Sequence, residues 1–106
     1  MTMPANNTFT DEEKPTKDEV FRDFLNFRMN HREEVLFRHD YFTEIMAQIY
    51  GIPSHRFQNT NDMFNIILEH PMSHFVDVLR KCDRHVVNDD ARYDLRCVLS
   101  YAKEGL

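Results

Sequence analysis

Turn-forming residues are scarce in this chain: 106 residues contain two glycines and four prolines, and tryptophan does not occur. Tight turns draw heavily on Gly, Pro, Asn and Asp, so an all-β domain of this length is excluded on supply alone. The same shortage removes a set of activities. A P-loop, a dinucleotide-binding fingerprint and a nucleophile elbow all need glycines where backbone approaches phosphate or turns sharply, and the chain's two, 54 residues apart, form none of these patterns. Two cysteines, Cys82 and Cys97, read as reduced thiols, because the start MTMPANNTFTDEE lacks the basic region and apolar run of a secretory signal. No segment approaches the ~20 consecutive apolar residues of a membrane span. Surplus positive charge is missing too. The formal net charge is −5, whereas a nucleic-acid binder takes most of its affinity from neutralising phosphates with a basic surface. The expectation is an intracellular, cytoplasmic protein, with the nucleus left open, that binds neither nucleic acid nor membrane.

What is present is helix-forming sequence. Apolar residues make up 42% and charged residues 29%, values of a globular chain, and the long glycine-free stretches are rich in Glu, Arg, Leu and Met. The spacing predicts an all-α fold: a compact antiparallel bundle of five to six helices over residues 16–106, preceded by a flexible acidic N-terminal tail over 1–15. Thr16 followed by Glu19 is a capping box, and the apolar positions Val20, Phe21, Phe24, Leu25 and Phe27 behind it follow the helical period to about Met29. The polar run Asn30-His31-Arg32-Glu33 then interrupts the stripe, predicting a bend or break at 30–32. Val35–Gly51 carries the densest aromatic and aliphatic run and is expected to be the helix on which the rest packs. Gly51 is its stop signal, with Pro53 just beyond. Further on, Ser54–Thr60 is a connection with room for one helical turn. Thr60 or Asn61 is expected to cap a helix burying Met63, Phe64, Ile66, Ile67 and Leu68 that closes at His70-Pro71. Ser73 is expected to cap the next, which buries Phe75, Val76, Val78, Leu79 and Cys82. Asn88 caps the last, with Asp89 and Asp90 at the positive end of its dipole and Tyr93, Leu95, Val98, Leu99 and Ala102 on its buried face.

Three sets of residues could carry chemistry. Arg28, Arg32 and Arg38, with His31 and His39 between them, can form a basic face on an otherwise acidic protein and recruit an acidic partner; the plainer alternative is a solvated helix face paired locally with Glu33, Glu34 and Asp40. His70, His74, Cys82 and His85 are acceptable zinc ligands by type, but short-spaced cysteine pairs are missing and Pro71 separates the two histidines, so a helix-end histidine and a buried cysteine account for them as well. Thr10, followed by Asp11, Glu12 and Glu13, is a hydroxyl ahead of acids, the local pattern of an acidophilic phosphorylation site.

The order of these features resembles a known family. A first helix broken near its middle (17–29, then 31–38) leads into Tyr41-Phe42-x-x-Ile45-Met46-x-x-Ile49-x-Gly51-Ile52. Then come His74-Phe75-Val76-Asp77-Val78-Leu79 and a last helix containing Leu95. Over about residues 20–100 this is similar to the death-fold superfamily, and within it to the caspase-recruitment domains. The resemblance implies a six-helix bundle with a bent first helix and a non-catalytic role in assembly through complementary charged faces. Arg28, Arg32 and Arg38 would fall on the basic one. The family's third helix would have to fit between Gly51 and Thr60, where the chain offers only a short connection, and the last helix is longer than the family's. The leading expectation is therefore a protein–protein interaction module: an adaptor, inhibitor or assembly subunit that needs no cofactor. Its partner would be another protein with an acidic surface, or a second copy of the chain. A metal-binding regulatory protein using the His/Cys set is the runner-up, and a small helical enzyme the third reading.

Overall fold

Thr16 opens the first helix as the sequence predicts. Its hydroxyl accepts from the Glu19 N–H and the Glu19 carboxylate accepts from the Thr16 N–H at 2.9 Å, a complete capping box for α1, Lys17–Asn30. The computed structural model describes residues 14–34 and 39–106; the expected tail up to residue 13, with Thr10, and the stretch 35–38, with Arg38, lie outside the described residues. Four more α-helices follow among the described residues: α2, His39–Tyr50; α3, Thr60–Glu69; α4, Met72–Asp83; and α5, Asp89–Glu104. A single 3-10 turn, Ser54–Phe57, sits between α2 and α3 and inserts Phe57 fully into the core. That turn is all that stands where the caspase-recruitment resemblance would place a third helix. The described residues contain no strand, and the fold is all-α.

The break at 30–32 is real. The His31 N–H donates back to the Phe27 and Arg28 carbonyls, and the Glu34 N–H then closes a turn on the His31 carbonyl. Gly51 ends α2 in the left-handed region at φ 69°, its N–H bonded to the Ala47 carbonyl at 2.9 Å. Two caps differ from expectation. Asn59, one residue ahead of Thr60, caps α3 through its side chain on the Asp62 N–H. Pro71 starts α4, without a side-chain cap and two residues before Ser73. Pro71 is the N-cap in extended backbone, and its carbonyl accepts the His74 N–H at 3.0 Å.

The helices run antiparallel in pairs. The start of α1 meets the ends of α3 and α5: Lys17 Nζ donates to the Leu68 carbonyl, and Gly105 lies against the Pro15 carbonyl. The end of α1 meets the start of α5 through His31 and Asp94. The core is a lattice of rings. Phe24 stacks on Phe42 at 5.1 Å and meets Phe75 edge-on at 5.5 Å, while Phe21 joins Phe64 and Phe75 at 5.8 and 6.2 Å. Phe75 belongs to α4, which packs against α2, α3 and α5 and buries Met72, Phe75, Val76, Val78, Leu79 and Cys82. The organising helix is therefore α4. The richer apolar run of α2 buries Phe42, Ile45, Met46 and Tyr50 against it.

Candidate functional site

The polar turn after α1 is a joint. His31 has 11% side-chain exposure and packs on Phe27 with ring centres 5.0 Å apart. Its Nε2 lies 2.7 Å from Asp94 Oδ2, and because an ionised carboxylate only accepts, Nε2 carries the proton and donates. Glu33 stands 3.9 Å from the other ring nitrogen. Beside this, the buried Glu34 reaches the loop between α4 and α5 and accepts from the Val87 N–H at 3.3 Å. Arg92 secures the same loop from α5, with Nη2 donating to the Val86 carbonyl at 2.6 Å and Nη1 to Asp89 at 3.0 Å. Arg96 bridges back to Asp83 at the end of α4. Four polar ties thus hold one end of the bundle together.

Of the residues expected to form a basic face, the structure separates their roles. Arg28 is half-buried, its guanidinium 4.8 Å from the centre of the Phe42 ring; burial lowers its pKa from the ordinary value, with the nearby Cys82 acting the other way. His31 is consumed by Asp94. Arg32 alone of the described three is exposed. Other exposed residues, which the sequence reading did not assign to a surface, lie on the segments tied to this turn. Met29 is 67% exposed, Tyr93 70% and Val87 84%. The contacts His31–Asp94 and Glu34–Val87 bring their three segments to the same end of the molecule, beside exposed Arg84 and His85. Tyr93 was expected inside, and Leu68, another expected core residue, is 43% exposed. The interruption of the apolar stripe was the only local signal of this end; its partners sit 53 and 63 residues away.

The four-residue metal set does not come together. Cys82 is wholly buried, its thiol pushed up to about 12 chiefly by burial, and His85 is exposed at the far end of α4. Among the described residues no three His, Cys, Asp or Glu side chains converge on a point suited to a metal ion. His70 and His74 do meet, across Pro71, and both lie against Tyr50.

Two open grooves share Tyr101 on the α1–α5 face. One is lined by Glu19, Arg22, Asp23, Asn26 and Tyr101, the other by Tyr93, Arg96, Cys97, Ser100, Tyr101 and Glu104. No helix among the described residues is long and apolar enough to cross a membrane. No protein-family model matches this chain, and no curated protein or solved structure does either.

Proposed function

We propose that the chain is a non-catalytic, intracellular protein–protein interaction module, an adaptor, inhibitor or assembly subunit, whose contact surface is the end of the bundle around the turn after α1. The observation that carries this reading is the exposure of Val87, Met29 and Tyr93, and of Arg32 and Arg84, on segments that the His31–Asp94 and Glu34–Val87 contacts hold together at one end. Aromatic, Met and Arg side chains are the types enriched where proteins meet. The polar ties beneath keep the segments in register without a partner, so binding would cost little ordering. A partner suited to the surface presents apolar side chains edged by carboxylates that meet Arg32 and Arg84. Assembly through such faces is also what the caspase-recruitment resemblance implies.

The test compares full-length wild-type protein with Val87→Asp and with Arg32→Glu/Arg84→Glu, each shown to unfold at the wild-type temperature. Proteins retained from the native host are identified by mass spectrometry and their affinities then measured with purified partner. The expected result is a partner held by wild type and lost by both variants. A partner held equally by all three would overturn the assignment of this surface. A strict monomer by light scattering that retains nothing would overturn the interaction reading as a whole.

A further inference from the structure

Tyr50, His70 and His74 come from three different helix ends and form a nearly equilateral triangle of rings. Tyr50 closes α2, His70 follows α3 and His74 lies in the first turn of α4. Ring centres are 5.2 Å apart for Tyr50–His70, 5.3 Å for Tyr50–His74 and 5.6 Å for His70–His74. Two buried side-chain polar atoms without a hydrogen-bond partner occur here together, Tyr50 Oη and His74 Nδ1. A buried donor or acceptor left unmatched opposes folding, and proteins keep such groups chiefly where they meet a ligand, an ion or water. Tyr50 is 7% exposed, so its hydroxyl reaches little bulk solvent.

The tautomer of His70 is decided by its neighbour. Its Nδ1 lies 2.8 Å from the Ile66 carbonyl, which can only accept, so Nδ1 carries the proton and the neutral ring keeps its lone pair on Nε2. A ring nitrogen fixed by a backbone carbonyl, with the other left as a lone pair, is the arrangement that orients metal-binding histidines. The spacing fits as well. An imidazole coordinating at about 2.1 Å places its ring centre about 3.2 Å from the ion. Two rings 5.6 Å apart that each turn a nitrogen to a shared ion would subtend about 120° there, close to trigonal.

We propose that His70 and His74 bind one borderline transition-metal dication, of the zinc, nickel or copper class, with solvent completing the coordination shell and the Tyr50 hydroxyl hydrogen-bonded to a bound water. Imidazole nitrogen selects this class over magnesium and calcium, which take oxygen ligands. Two protein ligands make the ion exchangeable, and it joins the ends of α2, α3 and α4 around Pro71. Binding to the folded chain alone raises its stability.

The experiment is calorimetric titration of the full-length protein in a Cys97→Ser background, which removes the exposed thiol as a competing ligand. Zn²⁺ and Ni²⁺ are the probes, Mg²⁺ the control, and thermal melts run alongside. The expected result is one ion per chain, a rise in Tm with Zn²⁺ and none with Mg²⁺. His70→Gln and His74→Gln each weaken binding more than about tenfold and abolish the Tm rise, while His85→Gln changes neither. Should the variants fold poorly, imidazole nitrogen shifts on Zn²⁺ addition, confined to His70 and His74 in otherwise wild-type protein, give the same answer. Absence of binding, or binding that survives both substitutions, overturns the site. A Tyr50→Phe variant with wild-type affinity overturns the part assigned to the hydroxyl.

Discussion

Removing His31 should loosen the joint between α1 and α5 by an amount the structure allows to be worked out. The ring loses one hydrogen bond to a carboxylate, Nε2 to Asp94 at 2.7 Å, and its packing on Phe27. A hydrogen bond to a charged group contributes about 1.5–3 kcal/mol when enclosed. Asp94 keeps 49% of its side-chain surface, so solvent screening brings the pair to about 1 kcal/mol. Loss of the buried ring adds about 1–2 kcal/mol. The expected costs are about 2–3 kcal/mol for His31→Ala and about 1 kcal/mol for Asp94→Asn, the larger equivalent to a fall in Tm of more than about 10 °C in a domain this small. Urea denaturation of wild type, both single variants and the double variant forms a cycle whose coupling isolates the pair, about 1 kcal/mol and weaker in high salt. If the double variant loses the sum of the single losses within about 0.3 kcal/mol, the two side chains do not cooperate and the joint has been misassigned.

The two glycines should respond for opposite reasons. At Gly51 a Cβ meets nothing within 4 Å, so Gly51→Ala costs only the left-handed backbone, about 1 kcal/mol. At Gly105 a Cβ would stand 2.9 Å from the Pro15 carbonyl oxygen and 3.0 Å from Met72 Cε, so Gly105→Ala must displace backbone and should cost more by chemical denaturation despite its ordinary φ. The thiols should separate equally cleanly. Cys97 reacts with a disulfide reagent in the native protein, and Cys82, buried and held protonated up to about 12, reacts only on unfolding. Its folded pKa lies above the ordinary value of 9.0, so its contribution is complete below pH 9 and is lost as pH rises from there; Cys82→Ala should flatten the alkaline decline in stability.

How legible this fold was depended on distance along the chain. The Thr16–Glu19 box, the Gly51 stop and the Asn88 cap are interactions within a few residues, and each stands where the sequence puts it. The cap of α3 shifted by one residue because Asn59, Thr60 and Asn61 are all competent, and only the path of the preceding chain selects among them. The outward turn of Tyr93 has the same origin. Periodicity marks an apolar residue near the stripe, but Ala91, Leu95, Val98 and Ala102 already complete the buried face of α5. The joint and the ring triangle were invisible, because His31–Asp94, Glu34–Val87 and Tyr50–His74 are made by packing and have no local pattern. Spacing alone grouped His74 with Cys82 and His85. The fold supplies Tyr50 in their place.

The same geometry decides which substitutions can speak about binding. A basic turn read from sequence invites reversal of every arginine in it, yet Arg28 lies over Phe42 with part of its side chain inside the bundle. Placing a carboxylate there sets a negative charge against the face of an aromatic ring and removes a cation–π contact of about 0.5–2 kcal/mol. Loss of partner binding by Arg28→Glu would therefore report on packing as much as on recognition. Arg32 has no such second role: it is exposed, on the turn that His31 and Glu34 anchor from beneath. A binding defect in Arg32→Glu at unchanged Tm reports on the surface, and one in His31→Ala accompanied by a lower Tm reports on the joint that holds it. The turn thus has an inner half that builds the molecule and an exposed outer half, and among variants of the turn itself only those of the outer half test the proposed function.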